Sequence, residues 1–149
     1  MQPAELPAIF ESLDDLHFEG RLGRCGWQIK SGCLHDDKGP LLKREGDVAS
    51  YVFHQSVWGL TMRQAQMIVL DHRLLDEEPA LRMVLLHEMV HAKLMTLGSD
   101  RKQRSAHGRR FVQELRRLLG RGEECLRSEV KFYAGARSAN GPQSQDIQI

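Results

Sequence analysis

The stretch Leu85-Leu86-His87-Glu88-Met89-Val90-His91-Ala92 decides how the rest of the chain is read. Two histidines four residues apart on an α-helix stand one above the other on the same face. Their imidazoles can converge on one zinc ion at about 2.0–2.1 Å. Glu88 follows the first histidine and projects beside the metal. It is placed to take a proton from a zinc-bound water, whose pKa the metal lowers to about 7. Leu81, Val84, Leu85, Leu94 and Met95 surround the motif, so the helix is expected to be largely buried. Burying two histidines and a glutamate without partners would be costly. We therefore read a metal site rather than a solvated face with two unrelated histidines.

Both ends of this helix are marked. Asp76 is the expected cap, followed by Glu77, Glu78 and Pro79, which suit a helix start. Gly98 is the expected stop after Leu97. A polar stretch, Ser99 to Ala106, leads to a further helix carrying Phe111, Val112, Leu115, Leu118 and Leu119 and ending at Gly120. A catalytic zinc usually takes three protein ligands. His107, at the mouth of this second helix and beside Gly108, is the preferred third. Glu114, two turns further on, is the alternative ligand or an outer partner that orients an imidazole. His17, His35, His54 and His72 are read as surface or locally bonded histidines without chemistry.

The N-terminal half reads as a helix and a small sheet. Leu6, Ile9, Phe10, Leu13 and Leu16 recur at steps of three and four, with Gly20 as the stop. Trp27 to Lys30, Val48 to His54 and Gln66 to Leu70 read as strands. His35 to Pro40 has turn chemistry. Short connections predict an antiparallel three-stranded sheet. We expect one domain over residues 1–133 and a disordered tail over 134–149, where Gly, Ser, Asn, Gln and Pro leave little to bury.

Composition excludes several classes. The chain has 149 residues, 41% hydrophobic and 28% charged, with a net charge of +1. That suits a globular protein and excludes a collagen, a coiled coil or a wholly disordered chain. No apolar run is long enough for a membrane span, so no membrane partner is expected. Early acidic residues do not suit a signal peptide. Three cysteines, Cys25, Cys33 and Cys125, imply no disulfide framework, and a reducing cytoplasm is the expected compartment. Charge is uneven, however. Residues 1–100 carry 10 Lys and Arg against 15 Asp and Glu, whereas 101–131 carry 10 against 4. Such asymmetry suits either a surface for an anionic polymer or a solubilising helix face. Trp27 and Trp58 read as core or rim residues rather than base-stacking platforms.

The two histidine stretches, Leu85–Ala92 and Ala106-His107-Gly108-Arg109-Arg110-Phe111, resemble the SprT-like zinc metallopeptidase domain of the Spartan/SprT family. Phe18-Glu19-Gly20-Arg21-Leu22, Trp27-Gln28-Ile29 and Ile68 to Leu75 extend the resemblance over about residues 5–120. It implies an α+β zincin-like fold: an N-terminal helix, a three-stranded sheet, the H-E-x-x-H helix and a following helix. It implies zinc on His87, His91 and His107, with Glu88 as the catalytic acid/base. The implied activity is a zinc-dependent endopeptidase acting on DNA-associated or DNA-cross-linked proteins. The basic segment 101–131 is the expected DNA contact, and it allows nucleoid association. No C-x-x-C pair occurs, so the zinc ribbon of many members is not expected. Tyr133 could stabilise an oxyanion, although its spacing does not demand it. Two alternatives stay open. One is a zinc-stabilised, transcription-linked nucleic-acid-binding protein with little proteolysis. The other is a hydrolase of something other than a peptide.

Overall fold

The structure is a computed structural model that describes residues 1–34, 58–98 and 107–140. The expected strand Val48–His54, the turn at His35–Pro40, the stretch Ser99–Ala106 with Arg101, Lys102 and Arg104, and residues 141–149 lie outside the described residues. The described elements are α1 (Leu6–Phe18), α2 (Arg21–Arg24), β1 (Gln28–Gly32), β2 (Gly59–Met62), β3 (Met67–Asp71), α3 (Glu78–Leu97), α4 (Arg109–Gly120) and α5 (Arg127–Asn140). The class is α+β. No helix among the described residues is long and apolar enough to cross a membrane.

The sheet is mixed rather than antiparallel. Its order is β1-β3-β2, with β1 parallel to β3 and β2 antiparallel to it. A tight turn over residues 63–66 joins β2 to β3 as a hairpin, with Gln66 at φ +51°. β3 then inserts beside β1 instead of continuing outward. A parallel pair needs a long crossover, and residues 33–66 supply it. β2 was not expected as a strand. β3 is central, which explains its unbroken apolar run: Ile68, Val69 and Leu70 are all buried.

α3 packs on β2 and β3, and α1 on β1. Every residue from Met83 through Ala92 is buried, so α3 is a central helix covered on all sides. Its start is one residue later than expected. Glu77 is the N-cap, while Asp76 closes a preceding 3₁₀ turn. Its stop is Gly98, at φ +72°, whose N–H reaches the Leu94 and Met95 carbonyls. Trp27 Nε1 donates to Thr96 Oγ1 at 2.8 Å and ties the end of α3 to the start of β1.

α1 buries Leu6, Phe10, Leu13, Asp14, His17 and Phe18, while Leu16 stays 53% exposed. Polar residues take buried places because partners meet them there. Asp14 accepts from the Leu22 and Gly23 backbone N–H groups and so caps α2. His17 Nε2 lies 2.5 Å from Glu123 Oε2. Arg82 donates to both Glu123 oxygens, at 2.6 and 2.8 Å. Arg121 reaches His17 Nδ1 and the Leu16 carbonyl. The C-terminal boundary also differs. α5 continues through Asn140, so residues 134–140 are helical where an unstructured tail was expected. Leu126, Val130 and Tyr133 anchor this helix in the core.

Candidate metal centre

The central position of α3 brings the H-E-x-x-H residues into the interior. His87 is 1% exposed, Glu88 0% and His91 6%. His107 comes from the turn ahead of α4 and is also buried. The three Nε2 atoms form a triangle. His87–His91, His91–His107 and His87–His107 are each 3.2 Å apart. Together they could hold a metal ion. The triangle has suitable dimensions: a point about 2.05 Å from each corner subtends angles of about 100° between them, near the tetrahedral value.

The protonation chemistry fits as well. Burial above all, and the neighbouring His87, push His107 down to about 2. Its imidazole is therefore neutral and offers a lone pair. His87 Nδ1 lies 2.5 Å from Glu129 Oε1, and Glu129 is fully buried. A proton on Nδ1 in that bond leaves the Nε2 lone pair facing the other two histidines. Glu88 and Glu129 thus place two carboxylates at the centre. Among the described residues, no Lys or Arg pairs with either. A divalent cation would carry charge that balances them.

Glu88 is held by β2. Thr61 Oγ1 lies 2.7 Å from Glu88 Oε1 and 3.1 Å from the Glu88 carbonyl oxygen. Oε2 has no hydrogen-bond partner and sits 3.9 Å from His87 Nε2. Burial pushes the Glu88 carboxyl up to about 7, against the opposing pull of His87 and of the Thr61 hydrogen bond. A group near 7 can both take and return a proton at neutral pH. The close approach of strand and helix depends on Gly59. A Cβ there would lie 2.9 Å from Glu88 Cγ and from Val84 Cγ1.

Aromatic rings floor the triad. The Phe111 centroid is 4.7–4.8 Å from all three imidazoles. Tyr133 stacks on His107 at 4.6 Å with an interplanar angle of 23°.

The structure brings His87, Glu88, His91 and His107 together. Glu114 is elsewhere. It pairs with Lys93 and Arg117, and so it is neither a candidate ligand nor an outer partner of the histidines. Glu129 holds the position that Glu114 was expected to take. A signal existed in the sequence. Leu126, Val130 and Tyr133 fall on one helical face, and Glu129 is the carboxylate within that apolar stripe. Thr61 and Phe111 carried no comparable mark. Trp27 and Trp58 are 4% and 2% exposed, which leaves no face for a base. Cys25 and Cys125 are free thiols.

No match was found among curated proteins or among solved structures. The SprT-like family, in contrast, matches residues 6–125. Because that span takes in most of the chain and all three histidines, the chain belongs to the SprT-like family of metallopeptidase-like domains.

Proposed function

We propose that this chain is a zinc-dependent endopeptidase in which His87, His91 and His107 hold the metal and Glu88 is the catalytic acid/base. The observation that carries this reading is the 3.2 Å triangle of Nε2 atoms with Glu88 Oε2 beside it. Bound there, zinc supplies a Lewis acid for the scissile carbonyl and lowers the pKa of water. The chain's own groups move the proton. Thr61 holds Glu88 Oε1, which leaves Oε2 turned toward the triad. Oε2 takes a proton from the attacking water as the C–O bond forms. It then returns that proton to the amide nitrogen as the C–N bond breaks. β2 is an edge strand of the described sheet, next to Glu88. An extended peptide can add along such an edge through backbone hydrogen bonds.

The test is cleavage of an unfolded protein substrate by zinc-loaded protein beside Glu88→Gln, with bound zinc measured in both. The variant should retain zinc and lose activity by at least about 100-fold, the scale of general acid–base catalysis. Equal rates would refute the role of Glu88.

A second reading rests on the outer face of α4, where Arg109, Arg110 and Arg116 are exposed. A groove of about 600 Å³ beside it is lined by Leu97, Arg109, Arg110 and Gln113 and by the Lys93–Glu114 ion pair. We propose nucleic acid as its partner, which would direct hydrolysis to DNA-associated proteins. Arg117 and Arg121 belong to the fold instead, since both bond α1. A salt titration decides the matter: phosphate contacts give a steep fall in affinity with salt. Negligible binding at low salt would remove DNA as a partner.

A further inference from the structure

α5 begins after the family-matched span ends at residue 125, yet it reaches the centre twice. Glu129 meets His87, and Tyr133, one turn on along the same face, stacks on His107. The Glu129 contact is costly for a purely structural one. The residue is fully buried, Oε1 bonds a single imidazole, and Oε2 has no hydrogen-bond partner. A fully buried carboxylate with a single hydrogen-bonded oxygen destabilises a fold unless compensating charge lies close by.

We propose that Glu129 is a positioning residue of the metal centre: it fixes the tautomer and ring orientation of His87 and makes α5 part of the metal-binding unit. This rests on the metal reading above. Glu129 holds the proton on Nδ1, keeps the Nε2 lone pair directed at the triad, and makes that nitrogen a stronger donor.

The test is competition of the full chain with a chromogenic chelator for Zn²⁺ and for Co²⁺. Wild type is compared with Glu129→Gln, Glu129→Asp and the exposed control Glu124→Gln, and metal-free melting temperatures are taken in parallel. Glu129→Gln should weaken both metals roughly 10–100-fold and alter the visible Co²⁺ spectrum. Its metal-free melting temperature should equal or exceed that of wild type, because a buried charge is gone. A structural role would do the reverse, lowering metal-free stability and sparing affinity. Glu129→Asp, with its shorter reach, should also weaken the metal, which keeps the inference testable if the Gln variant does not fold. Glu124→Gln should match wild type. If wild type binds metal and both Glu129 variants bind it within about threefold as tightly, this inference is overturned and the metal centre stands. If wild type binds neither ion, the metal centre itself is overturned, and this inference with it.

Discussion

Replacing Gly59 by alanine should loosen the protein and slow Glu88-dependent hydrolysis together. Gly59 is not held at a positive φ, so the effect is one of space. An added Cβ lies 2.9 Å from Val84 Cγ1 and Glu88 Cγ, and 3.1 Å from Glu88 Oε2. Carbon contacts are comfortable from about 3.5 Å, so β2 and α3 must part by about half an ångström. Neither neighbour yields easily. Val84 is a β-branched residue in a helix, where one χ1 rotamer dominates. Glu88 is pinned at its far end by Thr61. Overpacking of this kind costs about 1–3 kcal/mol. Reduced freedom of the unfolded chain offsets about 0.4–1 kcal/mol of it. A net loss of about 1–2 kcal/mol lowers the melting temperature by roughly 3–8 °C at this chain length. The same displacement moves Glu88, and a 1 Å misplacement can cost about 100-fold in rate, so roughly tenfold is expected here. Gly120→Ala is the matched control, since nothing lies within 4 Å of its added Cβ and it sits in α4. It should be neutral or stabilising. Calorimetric melts and initial rates on the two variants decide the outcome. A Gly59→Ala protein that melts at or above the wild-type temperature refutes the close-approach reasoning.

Two further outcomes follow from named contacts. Phe111→Ala removes a fully buried ring that touches all three imidazoles; it should cost about 3–5 kcal/mol in a denaturant titration and weaken metal binding, whereas Phe111→Leu should retain most of both. The Arg82 guanidinium first, and His17 after it, hold the Glu123 carboxyl below its usual value. A depressed carboxylate stabilises the fold fully above its unfolded pKa of about 4.3, and that stability is lost as pH falls through the lower folded value. Wild type should therefore lose melting temperature more steeply than Glu123→Gln from about pH 5 to about pH 3, and parallel curves would exclude Glu123 as an acid-sensitive anchor.

What sequence could and could not show follows from how far each contact reaches along the chain. The helix α3 was legible because its signals are local: a four-residue histidine spacing, surrounding apolar residues and a glycine stop all sit within or at the end of α3. His107 was singled out by its place ahead of the second helix, beside Gly108, and then by its resemblance to a family motif. The groups that hold these side chains in place come from greater distances. Thr61 meets Glu88 across 27 residues, and Glu129 meets His87 across 42. Neither pairing leaves a periodic trace. Sheet direction failed for the same reason, because the parallel partner of β1 lies beyond the intervening β2. Leu16 and His17 show the limit of hydrophobic patterning. Leu16, the apolar residue, faces solvent, and His17 is buried because Glu123 and Arg121 satisfy it. α5 was not read from sequence at all: no element was expected after Gly120, and the last residues of this helix are small and polar. Its place is set by Leu126, Val130 and Tyr133 and by the carboxylate among them. A charged residue on an otherwise apolar helical face is the kind of local inconsistency that functional sites produce; Glu129 is such a residue, but only the structure shows that its partner is His87.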